Sequence, residues 1–286
     1  MYPLIEPELL TLLLHDELVR VLDVRFNLSD TQQGRYLYQQ AHIPGAVYVD
    51  LEQDLSNHAM IGRAGRHPLP DPARFLEKIQ AWGIQQASKI IIYDAGNHAM
   101  AARAWWLLRW MGLTNVAVLH GGMKVWRADN YPLDAGRPVF KRSTIKLQPG
   151  HMPVANIETI FNGLGSAKFK LIDARSEERF YGKSEPIDSR SGHIPGAICH
   201  PFTRNMDKQG RFLSAQQLEK LFIPLLDGRE EKIFYCGSGI TACHNILAME
   251  YAGLGTGTLY PGSWSEWVID PKRPVQGYNQ TVTDTH

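Results

Sequence analysis

Only three cysteines, Cys199, Cys236 and Cys243, occur in the 286 residues, and no two of them form a Cys-x-x-Cys pair. That spacing supplies neither a disulfide framework nor a four-ligand zinc site. The expected setting is a reducing, cytoplasmic one in which thiols stay free and no metal is held. Net charge is lacking too. Lys+Arg of 30 against Asp+Glu of 29 leaves +1, too small a field to gather nucleic acid or an anionic membrane surface. No uninterrupted apolar run reaches the roughly 18 residues that span a bilayer. The opening stretch, MYPLIEPELLTLLLHDELVR, is broken by Pro3, Glu6, Pro7 and His15. It has no basic leader or small-residue cleavage site and is expected to belong to the mature protein. Core material is plentiful: 44% of residues are hydrophobic and 10% aromatic, enough for two ordinary domains.

Self-similarity organises the chain. VLDVR at Val21–Arg25 returns as LIDAR at Leu171–Arg175, and HIPGA at His42 returns letter for letter at His193. IIYD at Ile91–Asp94 is answered by IFYC at Ile233–Cys236, and an LHGG segment ending at Trp126 by LYPGSWSEW ending at Trp267. The conserved order predicts two homologous domains, 1–138 and 154–286. They are joined by a linker over 139–153, with the boundary near 148, where Gly150 and Pro153 interrupt a stretch without helical periodicity. Short apolar runs at Arg20–Val24, Ile90–Tyr93, Val116–Leu119, Lys170–Ile172, Lys232–Tyr235 and Thr258–Tyr260 alternate with helical patterns. This predicts an α/β fold in which each domain is a mostly parallel sheet flanked by helices.

The most informative segment is IFYCGSGITACHNILAMEYAGL, where a buried-type strand runs into Cys236, then Gly237 and Gly239, then a helix. Ligands bind beyond the carboxyl ends of strands in such sheets, and the free N–H groups of a helix N-terminus favour an anion there. Gly237 and Gly239 are expected to let successive N–H groups turn inward as a nest around the sulfur, lowering its pKa. Trp105, Trp106 and Trp110 fall at helical spacing and predict core or interface packing rather than a platform for bases. Cys243, two helical turns beyond Cys236, is expected to be buried, with a redox-partner role as the alternative.

Through D-x-R, G-H-I-P-G-A, the C-G-S-G-I-T loop and G-S-W-S-E-W, nearly the whole chain resembles the two-domain rhodanese superfamily. Its loop, Cys236 to Thr241 with Gly237, Ser238, Gly239 and Ile240 between, is similar to that of the 3-mercaptopyruvate sulfurtransferase branch. The thiosulfate branch typically places Arg and Lys where Gly237 and Ser238 stand. The resemblance implies a catalytically silent first domain, in keeping with Asp94 at the position matching Cys236. It implies a donor-binding role for Arg179 and a proton-transfer chain of Ser238, His67 and Glu52, with Asp50 as neighbour to Glu52. A second donor arginine expected just after Glu185-Pro186 is replaced by Ile187, which leaves Arg190 as a candidate substitute. Arg66 and Arg63, in the same loop as His67, are expected to reach across from the first domain. Asp23, Arg25, Asp173, Arg175, His42 and His193 occur in both halves and are expected to organise the fold.

The implied reaction is a double displacement. Cys236 takes sulfur from a small donor and a persulfide passes it to thioredoxin, another thiol or cyanide, with no cofactor needed. Thiosulfate is the alternative donor. A phosphatase or arsenate reductase would require arginine at position 242, where Ala242 stands, removing the guanidinium that stabilises phosphoryl transfer. A non-catalytic binding module is the remaining rival.

Overall fold

The structure, a computed structural model, describes residues 2–226 and 231–277. Residues 278–286, the end of the second domain as delimited from sequence, lie outside the described residues. The first sheet contains β1 (Leu4–Ile5), β2 (Val19–Asp23), β3 (Ala46–Tyr48), β4 (Lys89–Tyr93) and β5 (Val116–Leu119), all paired in parallel in the order β1-β5-β4-β2-β3. The second contains β6 (Phe169–Asp173), β7 (Ile198–Cys199), β8 (Glu231–Tyr235) and β9 (Thr258–Leu259), again parallel, in the order β7-β6-β8-β9. The register repeats as well: Asp23 sits opposite Tyr93, and Asp173 opposite Tyr235.

Central strand β4 shows why these runs are continuously apolar. Ile90 and Ile92 enter one hydrophobic cluster and Ile91 and Tyr93 another, so both faces of the pleat are covered. In β8, Phe234 joins the first of these clusters and Ile233 and Tyr235 a third. The shared cluster spans the two halves. It includes Trp105 and Trp106 from the Ala99–Trp110 helix and Ile246 and Leu247 from the Thr241–Tyr251 helix, which pack against each other. Both helices are buried almost all round, the pattern of an interior helix rather than a surface one. Each fully buried tryptophan removes roughly 150–250 Å² from water.

Buried ion pairs fix the strand ends. Arg175 Nη2 lies 2.7 Å from Asp173 Oδ2 and also donates to the carbonyl of Gly192 at 2.7 Å. Arg25 pairs with Asp23 and donates to Ala41 in the same way. Just beyond, His42 Nδ1 is 2.7 Å from the Tyr38 carbonyl and His193 Nδ1 2.8 Å from that of Phe180. A buried charge pair is tolerable only when its remaining hydrogen-bonding capacity is used, which the Gly192 and Ala41 carbonyls provide.

Candidate functional site

Strand β8 delivers Cys236 to the junction of the two halves, where its side chain is buried beneath the N-terminus of the Thr241–Tyr251 helix. The backbone N–H of Gly239 donates to Cys236 Sγ at 3.1 Å. Gly239 has φ +78°, and a Cβ there would lie 2.5 Å from the Pro261 carbonyl oxygen, so both backbone angle and space require glycine. The segment carrying Trp264 holds the loop from the other side. Cys236 N–H donates to Ser263 Oγ at 3.1 Å, Trp264 N–H to the Cys236 carbonyl at 3.0 Å, and Ser265 N–H to the Gly237 carbonyl at 2.9 Å. Ile240 is buried and Thr241 half-buried where the helix begins.

Gly237 matters for a different reason from the one expected. Its φ is not in the left-handed region, but a Cβ there would lie 2.8 Å from Arg66 Nη2 and 3.3 Å from Arg179 Nη1. Two guanidinium groups, one from each half, therefore lie directly over the loop. Arg66 is carried across by its own loop: Gly65, at φ +86°, fits against the Gly262 carbonyl, and Arg66 N–H donates to Ser265 Oγ at 3.1 Å. Arg179 lies on the short Glu177–Phe180 helix capped by Ser176. Its Nε and Nη2 grip Glu185 at 3.0 and 2.7 Å, and Nη2 also reaches Asp188 Oδ2 at 3.0 Å. Asp188 Oδ1 accepts from Arg66 Nη1.

His67 follows Arg66 and completes the contact between halves, with Nδ1 2.8 Å from Ser238 Oγ. Burial, together with the Arg103 and Arg66 charges, pushes the imidazole down to about 3. Arg103 itself was not anticipated from sequence. It is fully buried in the Ala99–Trp110 helix, donates to the carbonyls of Gly239 at 3.3 Å and His67 at 3.1 Å, and leaves Nε without a partner among the described residues. The available signal was a lone charge in the apolar run AMAARAWWLL, since arginine is almost never fully buried unless it is paired. Glu185 and Asp188 were missed as partners of the arginines.

Other expected residues are placed elsewhere. Glu52 is half-buried in a turn organised by Asp50, whose Oδ1 accepts the N–H groups of Glu52 and Gln53; among the described residues no hydrogen bond or ion pair joins either carboxylate to His67. The structure thus does not extend the Ser238–His67 pair to Glu52. Arg190 does not reach the loop either. Its Nη1 donates to the Arg273 carbonyl at 3.0 Å, and its own carbonyl accepts from Trp264 Nε1 at 2.9 Å, so it anchors the C-terminal stretch. Arg63 and Ile187 are exposed. Cys243 is fully buried with its thiol 3.2 Å from the Gly239 carbonyl, and burial pushes it up to about 12, so it is held as a neutral thiol.

The matching loop of the first half is filled from within. Asp94 Oδ1 accepts the N–H groups of Gly96 and His98 at 2.8 and 3.1 Å, and Oδ2 those of Met100 and Ala101 at 3.2 and 3.3 Å. A built-in carboxylate occupies the anion site there, while at Cys236 the corresponding position holds a polarisable sulfur. The second site can accommodate an anionic sulfur with a guanidinium pair and a hydroxyl–imidazole pair beside it.

Comparison with known proteins gives a consistent result. The family described as Rhodanese-like domain matches residues 6–129 and again residues 159–270. A Pseudomonas aeruginosa protein named "Probable 3-mercaptopyruvate sulfurtransferase" is 48% identical over 258 residues, covering 89% of this chain and 91% of the relative. The thiosulfate sulfurtransferase of Gallus gallus is 30% identical, covering 87% and 86%. Among solved structures, the 3-mercaptopyruvate sulfurtransferase SseA from Escherichia coli superimposes with a TM-score of 0.81 at 29% identity, over 93% of this chain and all of that one.

Proposed function

This chain belongs to the rhodanese-like sulfurtransferases, and from that premise we propose that Cys236 carries the sulfur as a persulfide and that 3-mercaptopyruvate is the preferred donor. The observation that carries this reading is the 3.1 Å contact from Gly239 N–H to Cys236 Sγ beneath the guanidinium groups of Arg66 and Arg179. A thiolate at a helix N-terminus is the form that attacks sulfur. Attack on the donor thiol sulfur breaks its bond to carbon and releases the enolate of pyruvate. The donor's S–H proton is transferred to that carbon, leaving pyruvate and the Cys236 persulfide anion. A thiol acceptor such as thioredoxin, or cyanide, then takes the terminal sulfur and restores the thiolate.

Arg179 and Arg66 are the groups proposed to receive the donor carboxylate, and Ser238 and His67 to move the proton; Gly237, Gly239, Ile240 and Thr241 shape the loop around the sulfur. The name of the 48% identical relative and the uncharged Gly237–Ser238 pair favour mercaptopyruvate over thiosulfate. The three unpaired cysteines suit a cytoplasmic location, and no helix among the described residues is long and apolar enough to cross a membrane. The domain limits proposed are 1–138 and 154–286, with 139–153 as linker. The test is intact-protein mass spectrometry after incubation with each donor: wild type should gain about 32 Da, one sulfur, and Cys236→Ser should gain nothing, since a hydroxyl cannot form a persulfide. Unmodified wild type after both donors, or sulfur transfer by the serine variant, would refute the assignment. A higher kcat/KM for thiosulfate would remove the donor preference alone.

A further inference from the structure

Resting on the functional reading above, we propose that Asp188 is an internal stand-in for the donor's carboxylate, holding Arg66 and Arg179 until an anionic donor displaces it, and so helps set donor specificity. Each of its oxygens takes one guanidinium: Oδ1 accepts from Arg66 Nη1, and Oδ2 from Arg179 Nη2 at 3.0 Å. A substrate carboxylate bridging the same two arginines would use the same pairing. Arg66 and Asp188 belong to different halves, so the contact spans the cleft directly above Gly237 and next to Cys236.

The neighbouring Glu185 is not interchangeable with Asp188. Its carboxylate accepts from Arg179 Nε and Nη2, from Arg175 Nη1 and from the N–H groups of Ile187 and Asp188, so it is locked into the local fold. Among the described residues, the Asp188 carboxylate accepts from the two guanidinium groups alone. Its side chain is 6% exposed, and burial, with Glu185 beside it, raises its carboxyl despite both arginines. The carboxylate is thus held where desolvation works against it. Residues 184–190 contain no helix or strand, and Ile187 beside it is 55% exposed, so Asp188 can swing to solvent without disrupting regular structure.

Charge decides what this does. With Asp188 in place the two arginines face two carboxylates and the mouth has no net charge; with Asp188 displaced it has one positive charge. An anionic donor must compete with the internal carboxylate, and its apparent affinity is reduced by the fraction of time the arginines are free. A dianion meets the stronger repulsion from Asp188.

The experiment compares Asp188→Asn, which keeps the shape and removes the charge, with Asp188→Glu, which keeps the charge. Donors are 3-mercaptopyruvate, thiosulfate and the uncharged amide of 3-mercaptopyruvate, which loses its sulfur as the acid does and leaves pyruvamide, and pyruvate serves as an unreactive competitor. Asp188→Asn should lower KM for both anionic donors and Ki for pyruvate by about tenfold, more for thiosulfate, and shift the KM of the uncharged amide by less than about twofold. Asp188→Glu should retain the high KM values, whereas a merely structural role would disturb both variants alike. A pyruvate Ki and anionic-donor KM that rise, or fall by less than about twofold, in Asp188→Asn would overturn the proposal. Wild type that none of the three donors persulfidates would instead overturn the functional reading on which it rests.

Discussion

His67 Nδ1 lies 2.8 Å from Ser238 Oγ, a hydrogen bond between residues 171 apart in sequence and in different halves of the molecule. The serine belongs to the loop that starts at Cys236; the histidine belongs to the loop that brings Arg66 over it. Burial and two nearby guanidinium groups push His67 down to about 3, so the imidazole is neutral throughout the working range. A neutral imidazole is a poor store of protons but a good relay, because one ring nitrogen can accept while the other donates. Sulfur abstraction from mercaptopyruvate needs only a relay, since the proton required at carbon is the one the donor thiol gives up.

His67→Ala and Ser238→Ala should therefore each lower kcat with 3-mercaptopyruvate by about 100-fold, the usual scale of a lost general acid–base step. Persulfide formation from thiosulfate, whose sulfite leaving group needs no proton at carbon, should fall far less. The wild-type pH profile should show no histidine inflection between about pH 5 and 8, where an unperturbed imidazole titrates. Equal losses with both donors would assign the pair a structural role in closing the halves.

Arg179 and Arg190, both named from sequence, should separate under mutation. Arg179→Ala should raise the donor KM by about tenfold or more, the scale of one charge-assisted contact of about 1.5–3 kcal/mol. Arg179→Lys should rescue poorly, because the fork that engages Glu185 through two nitrogens is lost. Arg190→Ala should leave donor KM alone and lower the melting temperature by about 2–4 °C for each kcal/mol lost, as the carbonyls of Pro271 and Arg273 lose their donor. Steady-state kinetics and thermal unfolding of the three variants decide it; a KM effect at Arg190 with stability intact would reverse the assignment.

What the sequence revealed and what it concealed divide along physical lines. Strands such as Lys89–Tyr93 and Glu231–Tyr235 were legible because burial on both faces demands an unbroken apolar run, and each run occurs twice. Of the shortest strands, Thr258–Leu259 was read from sequence and Leu4–Ile5 and Ile198–Cys199 were not, since two residues carry no periodicity of their own. Cys236 was legible from a local pattern: strand, cysteine, glycine, helix. Arg103 and Asp188 each have a partner more than a hundred residues away, Gly239 and Arg66 respectively, and such proximity leaves no local trace. Gly237 was singled out for its backbone freedom, yet space for Arg66 and Arg179 is what keeps it glycine. Glu52 shows the same limit from the other side, for nearness to the His42 motif in sequence does not determine which way a turn points.

Buried neutral histidines also make stability depend on pH in a stated direction. His98 and His244 flank Phe212 where the halves meet, with ring centroids 4.8 and 4.5 Å from it, and His98 Nδ1 and His244 Nε2 have no partner among the described residues. Burial lowers His98 to about 4, though Asp94 pulls the other way, and drives His244 well below its ordinary value; His67 stands at about 3. In the unfolded chain these groups bind protons near pH 6.5. Below that value the unfolded state holds more protons than the native one, so stability rises with pH and is fully present above about 6.5. As pH falls toward the folded values, each such histidine costs up to about 1.4 kcal/mol per pH unit. Between about pH 6.5 and 5 carboxylates with ordinary values remain ionised, so this window reads chiefly the histidines. The urea midpoint should be nearly constant from pH 8 to 7 and fall steadily from 6.5 to 5. His98→Asn, chosen because asparagine tolerates the φ of +59° at this position, should reduce that slope by about one proton's worth. A midpoint unchanged between pH 7 and 5 would mean that water or rearrangement lets these imidazoles charge inside the fold.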